Sequence, residues 1–159
     1  MKRRQYAVLV LTATLILGTI SVAQAAEMMK MKGQDVYIQE TVSKVKLADG
    51  RTMERHTLKG FSMADDPKSP FAMINQDCAE AVVISPDGSV SSGGYCNGVD
   101  ADGHVYWVSS TGDQKGGTWS FTGGTGKFAG IKGGGTFAWS TQWSDGKAVS
   151  TWEGNWTTK

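Results

Sequence analysis

The stretch Gly123–Phe137, GGTGKFAGIKGGGTF, limits this chain more than any other: seven of its fifteen residues are glycine, and only Lys127, Phe128, Ile131, Lys132 and Phe137 carry sizeable side chains. Glycine takes positive φ and lets two backbones approach closely, so the run marks turns and corners of a strand-built domain. It supplies no chemistry of its own. The sequence therefore speaks about architecture and compartment before it speaks about any ligand or reaction.

Strand-like runs occupy residues 35–47, 52–63, 79–85, 89–97, 104–110, 117–122, 135–144 and 148–157. Between them stand Asp49-Gly50, Pro86-Asp87-Gly88, Asp102-Gly103, Thr111-Gly112-Asp113 and Asp145-Gly146, which are hairpin turn sequences. Eight strands joined in order by short turns predict an all-β fold, a single eight-stranded antiparallel up-and-down barrel. Residues 27–33 read as a polar lead, and residues 64–70, with two of the three prolines, as a surface loop.

The N-terminus has a different character. Lys2, Arg3 and Arg4 precede an apolar run from Ala7 to Ile20 and a small-residue site at Ala23-Gln24-Ala25, the layout of a secretory signal peptide over residues 1–26. The run is shorter than the ~20 residues that span a bilayer, and nothing later is long or apolar enough, so no membrane span is expected. Residues 27–159 then form one domain in the periplasm or the secreted space. The segment carries three positive charges and no negative ones, which leaves 13 Lys and Arg against 15 Asp and Glu, a net charge of −2. That balance gives no electrostatic reason for a nucleic-acid partner.

If Asp145-Gly146 is a two-residue turn, Trp139 stands opposite Trp152. Phe137, Trp139, Thr141 and Trp143 then share a face with Ala148, Ser150, Trp152, Gly154 and Trp156. Trp119 and Phe121 alternate with Thr118, Ser120 and Thr122 in the same manner. All six tryptophans fall between Trp107 and Trp156, and most are expected to point into one interior. Trp107, Trp119, Phe121, Phe137, Trp139, Trp143, Trp152 and Trp156 are thus the candidate lining of a lumen. Such rings can hold a small barrel together with no ligand at all. Yet the indole N–H needs a partner, and tryptophans interspersed with Ser and Thr also line cavities.

Cys78 and Cys96 are the only cysteines. With Pro86-Asp87-Gly88 as a three-residue loop, Ser85 pairs with Ser89 and Cys78 faces Cys96, which predicts a structural disulfide. A bulge at Gly93-Gly94 would shift that register. Asp100-Ala101-Asp102-Gly103 starts like a calcium loop but lacks the later ligands, residue 111 being threonine. Met28, Met29 and Met31 are soft ligands without histidine, on a lead expected to be disordered. His56 and His104 are the only histidines. No nucleophile–base pair is visible, so no catalytic residue, metal or cofactor is expected.

Gly123, Gly124, Thr125, Gly126, Phe128 and Gly130 match a Gly-Gly-Thr-Gly-x-Phe-x-Gly pattern. In this the chain resembles dirigent proteins and allene oxide cyclase-like barrels. GYCNGVDADGHVY, residues 94–106, is also similar to what small exported bacterial proteins with that segment carry. The resemblance implies an eight-stranded barrel with an apolar lumen; none of the plant enzymes' functional residues match positions here. Avidin-like and lipocalin-like barrels are the structural alternatives. The resemblance also implies that such barrels often associate, whereas polar exterior faces suit a monomer, so both states stay open. The function expected is a non-enzymatic exported barrel that binds a small apolar or aromatic molecule or serves a structural role. The alternative is an allene oxide cyclase-like isomerase or cyclase acting on an apolar substrate.

Overall fold

Each strand pairs with its neighbour in sequence, and the last returns to the first. The strands are β1 (Met29–Lys46), β2 (Thr52–Ala64), β3 (Ile74–Ile84), β4 (Val90–Val99), β5 (Val105–Gly112), β6 (Gly116–Gly124), β7 (Lys132–Gln142) and β8 (Lys147–Thr157). They form a closed, all-antiparallel barrel in the order β1 to β8. This computed structural model describes residues 27–158; the expected export signal at 1–26 lies outside the described residues. Among the described residues no helix is long and apolar enough to cross a membrane.

β1 and β3 start five or more residues earlier than the sequence suggests, and β7 three. Residues 29–33 are not a lead but the first part of β1, held by β8 from Met29 opposite Trp156 onward. β3 begins at Ile74 rather than Ala79, so the polar run Asn75-Gln76-Asp77 is strand and not loop. In β3 the polar Gln76 faces the barrel interior, which breaks the rule of apolar-in and polar-out alternation, whereas the early part of β1 keeps it, with Met31 inward and Lys30 and Lys32 outward.

The turns follow their glycines. Ser85 and Ser89 bond across Pro86-Asp87-Gly88, with Gly88 at φ 83°. The β3–β4 register then runs without a bulge, and Cys78 pairs with Cys96 in a disulfide. The last hairpin differs from expectation. Trp143 and Lys147 bond across a three-residue loop, Ser144-Asp145-Gly146, with Gly146 at φ 85°. Asp145 favours this loop by accepting from the Lys147 backbone N–H and its ammonium. A bulge between Trp139 and Thr141 follows, so Trp152 stands opposite Phe137, and Trp139 stands opposite Ser150.

The end of the barrel that carries the long loops is plugged. Phe71 from the β2–β3 loop and Phe128 and Ile131 from the β6–β7 connection pack with Ile74 and Tyr106, all at most 3 % exposed. Phe71 stacks on Phe121 and meets Trp156 edge-on. The glycine-rich run makes this possible. A single 3-10 turn, Gly126–Phe128, drives Phe128 into the mouth of the barrel. Asp100 pins the plug from outside. Its Oδ1 accepts from the backbone N–H groups of Asp102 and His104, and its Oδ2 pairs with Lys127 Nζ at 2.7 Å. Burial alone would raise this carboxyl, but Lys127 and the turn N–H groups bring it down to about 2.

Phe128→Ala should lower unfolding stability by about 3–5 kcal/mol in a denaturant titration, whereas Trp143→Ala, at a ring 51 % exposed, should change it by less than about 1 kcal/mol.

Candidate functional site

Above the plug the interior stays open as a cavity of about 100 Å³. Its apolar wall carries Trp119, Phe121, Phe137, Trp139 and Trp152, with Leu58, Val108 and the Cys78–Cys96 bridge on the facing side. Trp119 meets Phe121 and Trp152 edge-on, at centroid distances of 5.2 and 6.5 Å. Phe137 meets Trp139 the same way at 5.7 Å.

The register explains how so many rings fit inside eight strands. Trp119 faces Gly135 across the ladder, Phe137 faces Gly117, Trp152 faces Gly33, and Tyr106 faces Gly98. At Gly33 a Cβ would run into the Trp152 indole, and at Gly98 into the Tyr106 ring. Gly33 and Gly98 are thus inner surface on which a ring lies, and the Trp119 and Phe137 rings come in the same way against Gly154 and Gly112.

Of the expected lining residues, Trp119, Phe121, Phe137, Trp139 and Trp152 line the cavity, and Trp156 packs into the plug below it. Trp107 and Trp143 do not. Trp107 alternates with the inward Tyr106 and Val108 and lies 40 % exposed on the outer wall. For Trp143 the cause is the bulge after Trp139, which turns Thr141 and Trp143 to the outer face beside the outward Val149 and Lys147. Met31, expected on a disordered lead, lines the cavity from β1.

A polar belt crosses the lumen that the aromatic pattern gave no sign of. Tyr37 donates to Gln76 Oε1, and Gln76 Nε2 donates to the Tyr106 hydroxyl at 2.6 Å. Burial, with help from the Asp35 charge, pushes both phenols well above their ordinary range. Beside them sits Asp35, almost fully buried. Ser150 donates to its Oδ2 at 3.1 Å, while its Oδ1 and the nearby indole N–H of Trp152 have no partner within the protein. Desolvation raises the Asp35 carboxyl to about 6, and its polar neighbours Ser62, Ser150, Tyr37 and Trp152 hold back a larger rise.

Other titratable clusters lie elsewhere. His56 is buried between Gln39, 2.8 Å from Nδ1, and Glu54, 2.9 Å from Nε2, and Glu54 in turn pairs with Lys44. Lys44 first and His56 second lower the Glu54 carboxyl. Asp100, Asp102 and His104 bring ligand atoms within 4.8 Å of one another, but the Lys127 ammonium already sits on Asp100.

No protein-family model matches the sequence, nor does any curated protein sequence. Solved structures do. The chain is similar to the pterocarpan synthase dirigent protein PsPTS1, with a TM-score of 0.58 at 9 % identity over 83 % of this chain and 96 % of that one. It is also similar to the pterocarpan synthase dirigent protein GePTS1, with a TM-score of 0.54 at 12 % identity over 92 % and 100 %. The chain has the dirigent-like barrel fold. At these identities the likeness speaks for the fold alone, and the lumen chemistry rests on this chain's own residues.

The raised Asp35 carboxyl sets a pH dependence. The folded state holds this proton more tightly than the unfolded chain, so the contribution is complete below about pH 4 and is lost as pH rises through about 6. Its size is at most about 3 kcal/mol. Stability measured between pH 4 and 7 should fall by up to that amount in the wild type, and Asp35→Asn should flatten that part of the profile.

Proposed function

We propose that this protein is an exported barrel that binds a small, largely apolar molecule in its aromatic-lined lumen. One observation carries the reading: the cavity joins five aromatic rings to Asp35 and Trp152, whose Oδ1 and Nε1 are buried without a hydrogen-bond partner. A merely packed core pairs such atoms, because an unpaired buried group costs about 1–3 kcal/mol. A ligand with one hydrogen-bond donor and one acceptor on an apolar body would pair both. At about 100 Å³ the cavity is smaller than the ~150 Å³ hollow that encloses benzene, so a guest of that size enters only if side chains shift or part of it stays at the open mouth. Export is supported by the Cys78–Cys96 disulfide, which persists in oxidising compartments.

A second reading has its own support. A carboxyl at about 6 inside an aromatic cavity is placed to give and take back a proton near neutral pH, the property an isomerase or cyclase of an apolar substrate needs. The similar barrels are named pterocarpan synthases, which is consistent with lumen chemistry in this fold. Binding without turnover remains the primary reading, because the groups beside Asp35 are serine hydroxyls, the Trp152 indole and the Tyr37 phenol, which burial keeps protonated.

Tryptophan fluorescence tests the cavity. Small aromatic compounds should quench or blue-shift the emission with saturation. Trp139→Ala should weaken that binding about tenfold, and Trp143→Ala should leave it unchanged. A broad panel that gives no response removes the binding reading. Turnover of an apolar substrate that disappears in Asp35→Asn would move the assignment to the enzyme.

A further inference from the structure

The charge of the lumen narrows the ligand class. Two carboxyl groups, Asp35 and Glu80, line the cavity, and among the described residues no lysine, arginine or histidine does. The groups facing Asp35 confirm the imbalance. Tyr37 on the same strand and Tyr106 on β5 are phenols that burial keeps protonated. β2 and β8 present Ser62, Ser150 and Trp152, and β3 presents Gln76 and Glu80. His56 is engaged by Gln39 and Glu54, and Lys44 by Glu54. An ionised carboxylate in such surroundings has no counter-charge, although buried charges are as a rule paired.

The aromatic rings add to the same preference. The face of an indole or phenyl ring is the negative end of its quadrupole, and rings gathered round a desolvated site attract cations. An anionic guest would meet two carboxyl groups with no compensating charge. A neutral guest would gain buried area and little else.

Resting on the binding function proposed above, we infer that the lumen takes an organic cation: a protonated amine on an aromatic or alkyl body. Its N–H donates to Asp35 Oδ1, and its body lies among Trp119, Phe121, Phe137 and Trp139. Glu80, half-buried on the facing wall beside Cys78, favours approach of the same charge.

Three probes of one skeleton separate the possibilities: benzylamine, benzyl alcohol and benzoate, titrated calorimetrically into the oxidised protein at pH 7.5. Benzylamine should bind at least tenfold more tightly than benzyl alcohol, with benzoate weakest. Asp35→Asn should shrink the amine's advantage to less than about twofold. Should that variant fail to fold, the wild type serves: lowering the pH from 7.5 to 5 protonates Asp35 and should weaken benzylamine several-fold while leaving benzyl alcohol unchanged. Benzyl alcohol or benzoate binding as tightly as benzylamine would overturn the charge assignment and leave the apolar cavity standing. If none of the three binds, and the wider aromatic panel also gives no fluorescence response, the binding function falls with it.

Discussion

Ten residue pairs between β1 and β8, from Met29 opposite Trp156 to Ile38 opposite Lys147, turn a meander into a closed wall. Without them both strands would be edges, with unpaired N–H and C=O groups in water, and the inner face of every other strand would be a solvated surface. Closure gives the chain an inside at all. It places Gly33 under Trp152 and Asp35 beside Ser150, so the seam that shuts the barrel is also the seam where the carboxyl meets the indole.

Inside, two kinds of packing are stacked along the axis. At the loop end Phe71, Ile74, Phe128 and Ile131 exclude solvent and supply the cohesion of a hydrophobic core. Beyond them the wall keeps its aromatic character but no longer fills the space, and the Tyr37–Gln76–Tyr106 chain crosses it. Under the binding function proposed above, the division puts stability and recognition in different layers: a change in the plug is felt as unfolding, and a change in the belt or the Trp139 wall would be felt by a guest in the lumen.

Much of this was legible in the sequence. Turn chemistry located the hairpins, and the three-residue loop at Pro86-Asp87-Gly88 correctly placed Cys78 against Cys96. The same loop class at Ser144-Asp145-Gly146 is not legible there, because Asp-Gly also suits a two-residue turn, and the bulge after Trp139 leaves no mark in the residue types. That pair of shifts turned Trp143 outward. The polar belt was hidden for a different reason. Asp35 and Gln76 look like solvent-facing or loop residues by composition, and only closure of the ladder shows that they point inward. Lumen-facing polar side chains are where local patterning and the tertiary role part company, as expected of residues kept for a task other than folding.

The glycines opposite the rings have a consequence for how the interior behaves over time. Trp152 on Gly33 and Tyr106 on Gly98 rest against main chain, whose position the ladder fixes. The contour of the hollow is therefore set by the skeleton of the sheet and only slightly by rotamer choice. A guest entering it meets a mould that is already cast, and little disorder has to be given up when it settles.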